Sequence, residues 1–253
     1  MPRYGPSAGC ARRTLHALRV QGRGVRAALL LLLSLAACRS SRSVRGDAAA
    51  AAPSRAAAEA RALLLRPDDA YWQQPAPSTF VVRIESSQGV IRVAFERALA
   101  PRGVDRVYQL VRAGFFDDSR FSRVVPGFIA QFGVPGDPPL GAVWRSRAIP
   151  DDSVRASNVR GAIAFAMTGP DTRTHQLFIS LVDNSRLDAQ GFAPLGRVIE
   201  GMDVVDRLYG GYGETSGGGM RGGRQGRVFA EGNRFLDAEF PRLDRLIRAR
   251  VEP

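Results

Sequence analysis

No lysine occurs in the 253 residues; all 36 basic side chains are arginine. A P-loop lysine, a Schiff-base amine and a lysine general base are therefore excluded. A basic complement drawn wholly from one residue type reads as a compositional bias. That weakens the formal charge of +12 as a nucleic-acid footprint, and no nucleic-acid partner is expected. Cysteine is almost as scarce, with Cys10 and Cys38 both in the first 38 residues, so the rest of the chain has no disulfide and no thiol nucleophile. Histidine occurs twice, as His16 and His175. Multi-histidine metal sites are thereby excluded, and any Ser-His-Asp triad would rest on His175 alone. Lying beside Gln176 where a loop enters a strand, His175 reads as a plain surface histidine. No metal or other cofactor is expected.

What is present begins with a leader. Six arginines and no acidic residue precede the run "AALLLLLSLAAC", a basic region followed by an apolar one too short to span a bilayer. Residues 1–37 read as a signal peptide. Leu35-Ala36-Ala37-Cys38 matches the bacterial lipobox, which implies cleavage before Cys38 and lipidation there: an exported lipoprotein of the cell envelope, facing the periplasm or the cell exterior. Arg39 in place of an aspartate after Cys38 favours an outer membrane. Without the leader the balance is 30 basic against 24 acidic groups, or +6. Residues 39 to about 65 are rich in Ala, Arg and Ser and read as a tether, with a short helix at 56–65. A proline-rich lead-in carrying Tyr71 and Trp72 follows, expected to be extended and packed on the domain surface, and 79–253 reads as the folded domain.

That domain opens on strict alternation. Phe80, Val82 and Ile84, the turn "SSQG", then Ile91, Val93 and Phe95 predict a β-hairpin. Pro101 opens a helix whose apolar positions Val104, Val107, Tyr108 and Val111 recur at helical spacing until Gly114 ends it. "FSRVVPGFIAQFG" (121–133) supplies two short strands hinged at Pro126-Gly127. Further strands are expected at 161–167, 176–181 and 193–199, helices at 202–208 and 227–238, and a closing strand at 247–251. About eight strands and two principal helices suggest a mainly β fold, a closed barrel capped by helices. A glycine-rich loop and helix are inserted at about 210–240.

"FSRVVPGFIAQFG", "GAIAFAMTGPDTRTHQLFIS" and "NSRLDAQGFAPLGRVIEGMDVVDRL" resemble, in order, the motifs of the cyclophilin family of peptidyl-prolyl isomerases over roughly residues 79 to 210. The resemblance implies a mainly β fold, an eight-stranded closed antiparallel barrel capped by two helices, in agreement with that count. It places Arg123 on the catalytic arginine, Gln131 on the pocket glutamine, and Phe128 and Ile129 on the apolar pocket pair. Ala166, Met167, Gln176, Phe178 and Leu187 fall on substrate-binding positions, with Phe192 in the place of an aromatic ring or histidine. Arg186 replaces a tryptophan associated with cyclosporin binding. The implied partners are proline-containing segments of unfolded or exported proteins, bound by a monomer.

The residues suit that chemistry on physical grounds. Rotation about a peptide bond faces a barrier of about 18–20 kcal/mol because the amide is conjugated. A catalyst must grip the proline ring and favour the twisted amide, whose nitrogen regains a lone pair. Phe128, Ile129, Phe178, Leu187 and Phe192 can form the cup, and Arg123 can donate to that lone pair. Gln131 can bond the carbonyl or fix the guanidinium. Simple docking needs the cup without the cation; the alternative is a membrane-tethered proline-peptide-binding module or holdase with little turnover. Two weaker patterns remain: Gly217–Gly222 formally matches GxGxxG without a βαβ context, and "DNSRLD" holds two carboxylates as a glycosidase site would.

Overall fold

The computed structural model describes residues 54–219 and 224–253. The leader and Cys38 lie outside the described residues. Helix α1 (Arg55–Leu64) is capped by the Ser54 hydroxyl, which accepts from the Ala57 amide at 3.2 Å. Strands β1 (Thr79–Ser86) and β2 (Gly89–Glu96) form the expected hairpin. Its inward residues meet as cross-strand pairs: Phe80 with Phe95, Val82 with Val93, Ile84 with Ile91. The turn is closed by Ser86 Oγ, which donates to the Gly89 carbonyl at 2.8 Å.

Helix α2 (Pro101–Arg112) begins at proline, and Gly114 follows its end at φ +72°. Its first amides find a distant acceptor: the Asp152 carboxylate takes the Arg102 and Gly103 N–H groups at 3.1 and 2.9 Å. Strands β3 (Ser119–Arg120), β4 (Arg123–Val125) and β5 (Ile129–Phe132) follow. Helix α3 (Pro138–Trp144), strands β6 (Ala162–Phe165), β7 (Leu177–Ser180) and β8 (Pro194–Glu200), and helix α4 (Met202–Asp206) come next. Helices α5 (Gly226–Glu231) and α6 (Asn233–Glu239) precede β9 (Arg245–Val251).

The closed barrel is the expectation that changes. Nine strands form one antiparallel sheet in the order β3-β9-β1-β2-β8-β6-β7-β5-β4, with β3 and β4 as free ends of the ladder. Those ends are joined along the chain by Phe121 and Ser122 alone, so the sheet must curl until they meet. No ladder zips the seam because its backbone groups are engaged elsewhere. The Phe121 amide donates to the Asp244 carbonyl, and the Ser122 carbonyl accepts from Ser216 Oγ at 2.6 Å. The fold is a curled antiparallel sheet with helices packed against it.

Two further expectations shift. The stretch around Tyr71 and Trp72 is a turn of 3₁₀ helix at Ala70–Gln73 rather than extended chain, and Trp72 is buried edge-on against Trp144 with ring centroids 4.7 Å apart. Within the segment read as tether, α1 docks on the domain: Leu64 is buried and its carbonyl accepts from Trp144 Nε1 at 2.8 Å. Leu64→Ala should therefore cost about 2 kcal/mol, the low end for a buried leucine because the helix end borders solvent. A fall in the urea midpoint at unchanged m would register that loss, whereas no change would mean α1 adds nothing to the domain. The single helix expected at 227–238 is two, broken at Gly232 (φ +58°, ψ −139°), where any Cβ would collide with the Gly136 carbonyl. These helices build a small core of their own from Val134, Val228, Phe235, Leu236 and Leu243.

Candidate active site

Strand alternation builds the site. On β5, Ala130 and Phe132 enter the main core, while Ile129 joins a separate cluster with Ala164, Phe178 and Leu187 on the opposite face. β6 and β7 divide in the same way: Ile163, Phe165, Leu177 and Ile179 go inward, and Ala164 and Phe178 go to the other side. Ladder register aligns a row across four strands, Arg123 opposite Gln131, Gln131 opposite Phe178, and Phe178 opposite Ala164. Residues as distant in sequence as Arg123 and Phe178 thus share one face.

That face floors a cleft of about 880 Å³. Arg123, Phe128, Ile129, Gln131, Ala166, Met167, Gln176, Phe178, Leu187 and Phe192 all line it. Arg123 is only 7% exposed, so its charge needs partners, and it has them. Nη1 donates to Gln131 Oε1 at 3.0 Å, while Nε and Nη2 grip the two oxygens of Glu214 at 3.0 and 2.7 Å. Of the two roles open to Gln131, the structure shows it fixing the guanidinium. Its own Nε2 donates to Gln176 Oε1 at 2.9 Å, and Gln176 Nε2 donates to Gln225 Oε1 at 2.8 Å. The Arg123 guanidinium lies 5.7 Å from the centroid of Phe128 and that of Arg186 4.9 Å from it. Phe178 and Phe192 meet edge-on at 5.8 Å.

Second-row polar groups hold the walls. Asn184 Nδ2 donates to the Phe128 carbonyl at 2.8 Å, and Asn158 Nδ2 to the Phe192 carbonyl at 2.7 Å. The carboxylate pair of "DNSRLD" is used structurally: Asp188 accepts from Ser157 and Asn158, and Asp183 from the Ser185 amide. His175 is fully buried, not a surface residue as expected, because its ring is packed between Phe115 and Phe229. Its Nδ1 lies 2.8 Å from the Gly133 carbonyl, and burial pushes its pKa down to about 4.

Sequence reasoning missed Glu214, Gln225, Phe229 and Arg145, all of which line the cleft. The first three lie in the 210–240 insertion, whose glycines signal a turn but not where it returns. Arg145 caps α3, a helix that went unpredicted although Pro138 and Pro139 occupy a natural helix start. The described lining contains one carboxylate and no histidine, cysteine or lysine, a composition suited to binding and polarisation rather than to covalent attack.

The sequence profile of the family described as cyclophilin type peptidyl-prolyl cis-trans isomerase/CLD matches residues 81–219. The chain belongs to the cyclophilin family. Peptidyl-prolyl cis-trans isomerase A of Dickeya dadantii is 34% identical over 140 residues, covering 50% of this chain and 70% of the relative. A peptidyl-prolyl cis-trans isomerase of Acinetobacter baylyi is 32% identical over 136 residues, covering 51% and 71%. The crystal structure of a Cryptosporidium parvum cyclophilin type peptidyl-prolyl cis-trans isomerase aligns with TM-score 0.51 at 16% identity, covering 69% of this chain and 98% of that one. That likeness concerns the fold. The family's enzymes are prolyl isomerases, and this chain is similar to several that carry that name.

Proposed function

We propose that this cyclophilin accelerates rotation about X-Pro bonds by gripping proline in the cup of Phe128, Ile129, Phe178, Leu187 and Phe192 while Arg123 stabilises the twisted amide. The observation that carries this reading is the state of the Arg123 guanidinium. Three of its five N–H groups are engaged, by Gln131 and Glu214, which leaves one on each terminal nitrogen for a ligand. An N–H held in advance over an apolar cup donates to the nitrogen lone pair that exists only when conjugation is lost. Conjugated amide offers no such acceptor, so the bond strengthens selectively at the top of the barrier. Substrates are proline-containing segments of other proteins; a Cryptosporidium parvum cyclophilin of similar fold was crystallised in the presence of the dipeptide Ala-Pro. The test is the cis-to-trans relaxation of a short X-Pro-Phe peptide with the full chain. Relaxation faster than in buffer and saturating with peptide supports the reading; a rate equal to buffer from folded protein leaves a docking module or holdase.

We further propose that Cys38 carries lipid and anchors the protein at the cell envelope, on the strength of the lipobox and basic leader. Expression in a bacterial host should yield a membrane-fraction protein whose mass shows a diacylglyceryl adduct, and Cys38→Ala should move it to the soluble fraction. A membrane-bound Cys38→Ala protein would count against the anchor.

A further inference from the structure

Residues 207–219, after α4, form an arm that returns to β4 and brings Glu214 to the cleft. Gly213, Gly217, Gly218 and Gly219 take φ values of +49°, +59°, +83° and +92°, so the chain coils tightly enough to return to β4. The arm is pinned on both sides of Glu214. On one side Ser216, itself buried, donates to the Ser122 carbonyl beside β4. On the other, Tyr212 packs edge-on against Tyr209 and Phe240 at 5.0 and 5.2 Å, and its hydroxyl accepts from the Arg242 amide at 3.3 Å.

From this we infer that Glu214 is a positioning residue for Arg123: its carboxylate holds the Nε edge of the guanidinium and thereby aims the remaining terminal N–H groups at the bound proline. The inference rests on the isomerase reading above. The geometry that carries it is the side-on fork, with both carboxylate oxygens on Nε and Nη2 and Gln131 on Nη1. A guanidinium gripped along one edge and at one tip cannot rotate about its last bond, so its direction is set before substrate arrives. An arm that merely competed with substrate would be expected to meet the terminal N–H pair head-on and to hang from unanchored glycines. Neither holds here.

The experiment compares kcat and KM for an X-Pro-Phe peptide in the full chain and in its Glu214→Gln and Glu214→Ala variants, with thermal unfolding of each. Glu214→Ala is expected to lose about ten- to a hundredfold in kcat, the scale on which a misaligned catalytic group slows an enzyme. KM should stay within about twofold, since the cup that binds proline is intact. Glu214→Gln keeps one acceptor oxygen and should fall between the parent and Glu214→Ala; it decides the question if the alanine variant does not fold. Turnover equal to or above the parent's overturns the inference and makes the carboxylate idle or a competitor, and so does a rise in KM at unchanged kcat. A parent without activity would sink the isomerase reading itself, a result distinct from an active parent indifferent to Glu214.

Discussion

Arg123→Ala is expected to lower kcat for X-Pro-Phe isomerisation by about 10²–10³-fold, the loss seen when one preorganised donor to a developing charge is removed. Peptide affinity should change far less, because Phe128, Ile129, Phe178, Leu187 and Phe192 remain in place to hold the proline ring. Arg123→Lys should lose nearly as much. A lysine ammonium is a compact point charge and cannot occupy the Gln131 oxygen and both Glu214 oxygens while keeping two directed N–H groups for substrate. Folding should survive either change, since the Glu214 side chain is 40% exposed and water can take over its oxygens. The measurement is kcat and KM by peptide relaxation alongside equilibrium peptide binding. Parallel losses in turnover and affinity would mean that the arginine only docks peptide, and the catalytic reading would fall.

The second large effect is on stability and concerns His175. A carbonyl can only accept, so the short contact to Gly133 places a proton on Nδ1 and leaves Nε2 with a lone pair; Nε2 is buried without a partner among the described residues. Burial lowers the ring's pKa to about 4, opposed in part by the Gly133 bond and helped by the smaller effect of the nearby Arg106 charge. The unfolded chain, with an ordinary imidazole near 6.5, takes up a proton before the folded chain does. The stability due to the neutral ring is therefore complete above about pH 6.5 and is lost as pH falls toward 4. A gap of that size corresponds to about 3 kcal/mol. Urea midpoints recorded from pH 7.5 to 4.5 should drop accordingly in the parent, and His175→Gln, which can still donate to Gly133, should flatten that stretch of the curve. A parent as stable at pH 5 as at pH 7 would show that the ring is solvated rather than buried.

How much of this was legible beforehand differs from element to element. The β1–β2 hairpin could be read because period-2 alternation and a polar turn are local signals, and α2 because proline and glycine punctuate its ends. The cup and the Arg123–Gln131 pair were reachable through family resemblance, since their motifs are contiguous. His175 was misread because its burial depends on α5 and Phe229, which lie more than 50 residues later. Glu214 was invisible for the same reason: a carboxylate among glycines looks like solvent-exposed loop until the arm is seen returning to β4.

The sequence by itself determined the strand alternation, the helix start at Pro101 and the absence of any lysine, or of a thiol or histidine cluster beyond residue 38, to do other chemistry. These follow from residue type and near-neighbour spacing, which operate over a few positions. Only the tertiary structure decided that the sheet curls without a laddered seam, that α1 packs against Trp144, and that Glu214 grips Arg123. Each of those depends on contacts between segments dozens of residues apart. Their geometry is set by how the whole curled sheet and the C-terminal helices share one interior, and no local pattern encodes it.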